Sequence, residues 1–346
     1  MRIAIATDAW TPQTNGVVTT LNTTRRILEQ SGHDVRMITP EPFRTVPLPT
    51  YPDIRLALFP YRRIAADLDA FAPEAIHIAT EGPVGMAVRR YCRRRKLKFT
   101  TSYHTQFPEY LRLRAPIPLR LSYAFFKWFH GPAERTLVPT PSMQERLLGH
   151  GFTHVEVWGR GVDVNRFRPY GKEALSARRP IFVYVGRVAV EKNIEAFLSL
   201  DLPGTQYVVG DGPDRAMLEE KHPEVIFTGF RYGEELARTI AACDVFVFPS
   251  LTDTFGLVML EAMACGVPVA AYPVTGPKDV VIDGVTGCLD EDLGRAARRA
   301  LDINPQNPRD YSLSHSWHQA TDQFYANLAP NTDTEPAAEK VASGLK

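Results

Sequence analysis

Short apolar runs recur along the chain, and most are separated by stretches whose apolar positions repeat with helical spacing. The runs predict strands over Arg2–Ala6, Asp34–Ile38, Ala75–Ile78, Lys98–Tyr103, Thr136–Pro139, Pro180–Val185, Thr205–Val209, Val225–Thr228, Val245–Phe248 and Val267–Ala271. Unbroken apolar strands alternating with amphipathic helices imply βαβ units and parallel sheets covered on both faces. The series starts twice. Ile3–Thr7 leads through a loop with Asn15-Gly16 into a helix over Val17–Gln30, and Ile181–Val185 leads through Gly186-Arg187 into a helix opening near Asn193. Residues 166–179, rich in Arg, Pro and Gly and without a clear period, read as a linker. The expected fold class is α/β, with two doubly wound domains, 1–165 and 180–313, facing each other. Ligands in such sheets bind beyond the carboxyl ends of the strands, so the two sets of ends define a cleft. A last helix over 314–328 has Trp317, Ala320, Phe324 and Leu328 as its packing face, and 329–346 has the composition of a disordered tail.

Composition narrows the class. With 346 residues, 44% of them hydrophobic and 23% charged, the chain is an ordinary globular one, not a coiled coil or a disordered polymer. No apolar stretch approaches the roughly 20 residues of a membrane span. The segment Met1–Ala6 reads as a strand, not a signal peptide. Cys92, Cys243, Cys265 and Cys288 are scattered without a C-x-x-C pair, which suits a reducing compartment, and a cytoplasmic location is expected. The net charge of +1 hides an asymmetry: residues 1–165 carry 22 Lys and Arg against 14 Asp and Glu, and the remainder 18 against 25. The basic half is expected to meet an anion or an anionic surface.

Two segments carry the chemistry. In Thr252–Gly266, Leu257, Leu260 and Ala264 form an inward stripe, and Glu261 has Leu257 and Cys265 as its i±4 neighbours. No helical salt bridge accounts for Glu261, so it is expected to accept hydrogen bonds from outside the helix. A pair of ribose hydroxyls matches a bidentate carboxylate. Asp253 lies at the helix start, where the plainer alternative is a cap. In Gly186–Asn193, Gly186 permits close backbone approach, and Arg187 and Lys192 stand at the carboxyl edge of a sheet, an arrangement suited to a diphosphate. The D-x-D candidates, Asp67–Asp69 in an amphipathic helix and Asp290–Asp292 in a polar turn, do not end a predicted strand, and no metal or other cofactor is expected.

Together these motifs resemble the retaining glycosyltransferases of family four, which have the GT-B fold. The resemblance covers about residues 1–328 and implies that helix 314–328 crosses back to the first domain. It implies that Arg187 and Lys192 bind the diphosphate of a nucleotide-sugar donor, that Glu261 holds the ribose, and that Asp253 contacts the donor sugar. The family commonly has Glu at the position of Asp253. Gly186, Gly210 in Gly210–Pro213, Phe230 after Thr228-Gly229, Thr254, Phe255, Gly256 and Leu257 complete the donor side, with Gly16 from the first-domain glycine loop. His104 ends a strand where the family has a histidine near the transferred sugar. Asp253-Thr254 and Trp158–Asp163 (W-x-R-G-V-D) resemble the subgroup acting on membrane lipids, the sulfoquinovosyl-, mannosyl- and glucuronosyl-diacylglycerol type. The implied reaction retains configuration by front-face transfer without a metal.

Two features fit a lipid acceptor on an anionic membrane surface. Arg89, Arg90, Arg93, Arg94, Arg95, Lys96 and Lys98 place seven cations in ten residues. Tyr110–Arg114 and Ile117–His130 mix aromatics with Arg112, Arg114, Arg120, Lys127 and Trp128, as an interfacial segment does; a core helix is the plainer alternative. The expected placement is peripheral, at the inner membrane face. A soluble sugar or sugar-phosphate acceptor, or a catalytically silent nucleotide-binding protein, are the competing readings. The first turn, Asp8–Gly16, lacks the G-x-G-x-x-G of a dinucleotide oxidoreductase, and no nucleic-acid readout module accompanies the basic patch. The donor base and sugar and the oligomeric state stay open.

Overall fold

The computed structural model describes all residues but 14, 49–50, 115–117 and 332–346, and of residues 48, 51–54, 111, 113 and 114 only the backbone. The strands, in chain order, are β1 (Arg2–Ala6), β2 (Asp34–Ile38), β3 (Thr45–Leu48), β4 (Tyr51–Ala57), β5 (Ala75–Ile78), β6 (Thr100–Ser102), β7 (Arg135–Val138) and β8 (Val155–Val157) in the first half. The second half holds β9 (Ile181–Val185), β10 (Thr205–Val209), β11 (Ile226–Gly229), β12 (Val245–Phe248), β13 (Val269–Ala271) and β14 (Gly287–Leu289). Two six-stranded sheets form, ordered β2-β1-β5-β6-β7-β8 and β11-β10-β9-β12-β13-β14. All pairs within them are parallel. Each order reverses once, between β1 and β5 and between β9 and β12, and ligands of doubly wound sheets bind at such a reversal.

The apolar runs become central strands because both faces are covered: Ile181–Val185 and Val245–Phe248 are buried throughout. The additional strands are short or irregular. β8 and β14 are three-residue edge strands, and β3 and β4 form a separate antiparallel hairpin interrupted by Pro47 and Pro52. Because β14 exists, Asp290 does follow a strand end, contrary to the expectation above. It is a local anchor all the same: it takes two hydrogen bonds from Arg295 (2.5 and 2.6 Å), which hold its carboxyl down at about 2.

After the second sheet the chain returns to the first. Helix Trp317–Asn327 lies along helix Gly16–Gln30. Trp158 donates its indole N–H to the Ala320 carbonyl (2.9 Å), and Phe324 is buried between the rings of Trp158 and His77, both at 4.8 Å. Asn331 then bonds both main-chain groups of Lys98. The predicted tail otherwise lies outside the described residues. Phe324→Ala should cost about 3–5 kcal/mol, the range for removing a buried aromatic; a shift in the urea midpoint would measure it.

Candidate active site

The donor-side residues gather at the carboxyl ends of β9, β10 and β12. The β9 turn passes so close to that of β10 that a Cβ on Gly210 would lie 1.8 Å from the Gly186 carbonyl, so only glycine fits there. Beyond Gly186, the carbonyl of Arg187 accepts a hydrogen bond from the buried Tyr184 hydroxyl (2.7 Å). A 3₁₀ turn, Val190–Lys192, brings Lys192 beside the loop after β12. There Lys192 Nζ binds both carboxylate oxygens of Asp253, at 2.6 and 2.9 Å. Burial opposes the ammonium charge, yet the Asp253 carboxylate, with Tyr110 and Tyr184 nearby, holds Lys192 well above the ordinary lysine range. Asp253 is therefore an ion-pair partner and not the helix cap of the alternative reading; Gly256, at φ +81°, opens helix Leu257–Ala264.

Glu261 makes no side-chain hydrogen bond among the described residues. Burial pushes its carboxyl up to about 7, partly offset by the Arg166 guanidinium. A carboxylate left in this state can take hydroxyl donors. Phe230 is half exposed beyond β11, stacked on Tyr232 with ring centroids 5.9 Å apart.

The first lobe closes over this loop. Thr254 Oγ1 donates to the His104 carbonyl (2.6 Å), and Gln106 Nε2 donates to the Asp253 carbonyl (3.2 Å). The Ser142 amide donates to Asp279 (3.0 Å), and Thr140 Oγ1 lies 3.4 Å from the Thr254 carbonyl. Gly16 faces Leu257: a Cβ there would sit 3.4 Å from Leu257 Cδ1. Phe255 is half-buried at the same junction, packed against the second-lobe core. His104 follows β6, with Nδ1 at 3.1 Å from Arg160 and Nε2 buried without a partner among the described residues. Burial, with the charges of Arg160, His77 and His130, holds its imidazole well below the ordinary histidine range, so it is neutral. His150 and His154, four apart in sequence, flank the helix break at Gly151, and His150 stacks on Tyr123.

Several contributors were not anticipated. Tyr110, assigned from sequence to the interfacial stretch, turns into the cleft, hydrogen-bonded to Thr252 beside Lys192 and Asp253. Its segment's cations and leucines masked an aromatic that follows His104 by six residues. Asp8, at the end of β1, accepts from the Val84 and Gly85 amides at the start of helix Pro83–Arg95, and burial raises it to about 6 despite those bonds.

The acceptor-side expectations divide. Arg89 is not a surface cation: it is buried and donates to the Trp128 and Phe129 carbonyls (2.7 and 2.9 Å), capping helix Leu119–His130. Arg95 pairs with Asp69 at 2.7 Å, and Arg90 and Arg94 lie over the Tyr61 ring. Arg93, Arg94, Arg95 and Arg112 are exposed, and the side chain of Arg114 lies outside the described residues. Helix Leu119–His130 buries Tyr123, Phe126 and Phe129 and exposes Leu121 (58%), Phe125 (43%) and Trp128 (51%), with Arg120 and Lys127 exposed beside them in sequence. The helix thus has one face in the core of the first lobe and the opposite face open to solvent. Among the described residues no helix is long and apolar enough to cross a membrane.

Comparison with known proteins shows the family and the fold. Residues 14–166 match the family model described as Glycosyltransferase Family 4, and 179–303 match Glycosyl transferases group 1. The chain is 33% identical to a GDP-mannose-dependent alpha-mannosyltransferase of Mycobacterium tuberculosis, over 84% of this chain and 83% of that one. It is 27% identical to an alpha-monoglucosyldiacylglycerol synthase of Streptococcus pneumoniae, over 92% and 82%. Its fold is like that of sucrose-phosphate synthase from Thermosynechococcus elongatus, with TM-score 0.76, 21% identity and coverage of 94% and 97%. The chain belongs to the family 4 glycosyltransferases of GT-B fold.

Proposed function

We propose that this enzyme moves a hexosyl group, with retention of configuration, from a nucleotide sugar to a membrane-lipid acceptor. The observation that carries the transfer chemistry is the ion pair of Lys192 with Asp253, closed over by the His104 segment. In the reaction, the bond from the anomeric carbon to the diphosphate breaks, and that carbon bonds the acceptor hydroxyl oxygen. The hydroxyl proton passes to the departing phosphate oxygen on the same face, so the protein need supply no strong base. Arg187 and Lys192 offset the charge gathering on the diphosphate. Glu261 receives the ribose hydroxyls, Phe230 packs by the nucleobase, and Asp253 turns from Lys192 towards the sugar hydroxyls. His104 hydrogen-bonds the sugar. Two cations facing the diphosphate make a metal unnecessary for charge neutralisation.

The lipid half rests on the exposed Leu121–Phe125–Trp128 stripe with its flanking cations, and on the likeness to a diacylglycerol-glycosylating relative. Such a face inserts its aromatics at the headgroup level. Each cation near an anionic surface adds about 1 kcal/mol. Co-sedimentation with phosphatidylglycerol vesicles should therefore be strong at low salt and fall as salt rises. The double variant Phe125→Ser, Trp128→Ser should weaken it. Binding indifferent to lipid charge and to both substitutions would remove the membrane role. A transfer screen of UDP- and GDP-sugars against extracted lipids and soluble sugar phosphates would test the acceptor class; product only from the soluble acceptors would overturn it.

A further inference from the structure

Arg160 is a buried cation with an unusual set of partners. Its guanidinium lies 4.3 Å over the Trp158 ring, and Nη1 donates to the carbonyls of Trp158 (2.5 Å) and Gly159 (3.0 Å). Its Nη2 stands 3.1 Å from His104 Nδ1. A guanidinium has hydrogens to give and no lone pair to receive one. His104 Nδ1 must therefore be the acceptor, and the single proton of the neutral ring sits on Nε2. That atom is buried and unpartnered among the described residues.

We propose that Arg160 is a positioning residue that locks His104 as its Nε2–H tautomer, keeping that N–H for an oxygen of the donor sugar. Among the described residues the surroundings offer no competing lock. The neighbouring His77 is occupied at both nitrogens by the hydroxyls of Thr100 and Ser102 (2.8 Å each). His130 is held by Thr101 and Glu81. The Trp158 ring meets His104 edge-on at 5.7 Å, with its own N–H committed to Ala320. Burial lowers Arg160 to about 9, which leaves it cationic at neutral pH, and its charge helps keep His104 neutral. A tautomer set from behind fixes which ring nitrogen can serve the substrate, a requirement that the identity of His104 alone does not meet.

The sugar contact rests on the function proposed above; the lock does not, and the test separates them. Two-bond ¹H–¹⁵N correlations on the full chain labelled at histidine should show a pyrrole-type Nε2 and a pyridine-type Nδ1 for His104. The opposite tautomer in the unsubstituted protein overturns the lock without any variant having to fold. Arg160→Met keeps the stem against Trp158 but removes the donors. It should give a mixture of tautomers and lower kcat roughly 10-fold, the scale of one lost hydrogen bond, with KM for the donor little changed. Arg160→Lys, which still donates, should recover most of both signals. A single unchanged tautomer in Arg160→Met overturns the lock. Unchanged turnover in His104→Ala overturns the sugar contact, and with it the catalytic purpose of the lock.

Discussion

Replacing Lys192 with alanine is expected to cut sugar transfer by a factor of about 10²–10³, the scale for removing one preorganised donor from a developing anion. The side chain is held by both oxygens of Asp253, so it is aligned before any donor arrives. The loss should fall on kcat with donor saturating, because the charge it meets grows as the bond breaks. The substitution also leaves the partly buried Asp253 carboxylate without its partner, which lowers stability. The double variant Lys192→Ala, Asp253→Ala separates the two effects. It should recover much of the lost stability in denaturant unfolding and none of the turnover. Full turnover in Lys192→Ala would eliminate the assigned role.

Glu261→Ala should weaken donor binding roughly 100-fold, since hydrogen bonds to a charged acceptor contribute about 1.5–3 kcal/mol each. It should leave kcat at saturating donor nearly intact. The carboxyl also carries a proton signature. Burial raises it from the ordinary 4.5 to about 7 in the ligand-free protein. Ribose hydroxyls donate to the ionised form and so pull that value down. Binding of UDP or GDP at pH 7 should then release roughly half a proton, read as a dependence of calorimetric enthalpy on buffer ionisation. The sign for folding is the reverse of that for a salt-bridged acid. A raised carboxyl favours the folded state while protonated, so the ligand-free protein loses stability as pH rises from 4.5 towards 7 and no more above it. Glu261→Gln should remove that loss, at most about 3 kcal/mol. Nucleotide binding without proton release, with equal affinity in Glu261→Ala, would move the ribose elsewhere.

β1, β5 and β12 were legible because burial on both faces writes a nearly unbroken apolar run; β10 and the half-exposed edge strand β2 also have the predicted limits. β8 and β14 escaped because a three-residue edge strand such as Val155-Glu156-Val157 has one partner and no need of an apolar run. Missing β14 also misplaced Asp290 relative to the sheet. In the site, Arg187, Lys192, Asp253 and Glu261 stood out as charges next to strand ends or among apolar neighbours. Tyr110, Gln106 and Asp279 did not, because their roles arise where two lobes meet, and contacts between residues 106 and 253 or 142 and 279 leave no local spacing. Arg160 was visible only as a member of W-x-R-G-V-D; its hold on His104 follows from a fold that brings the carboxyl ends of β6 and β8, on either side of β7, to the same end of the first sheet.

The returning helix has a consequence for synthesis. The slot beside Trp158 and His77 is filled by Phe324, which leaves the ribosome after both sheets have been made. The first lobe thus waits, with an open apolar seam, for a piece encoded more than 150 residues downstream of its last strand. A gene fragment ending at residue 166 would inherit that seam as a sticky surface. Splicing residues 314–331 behind it through a flexible tether would supply the missing wedge and give an independently folding half.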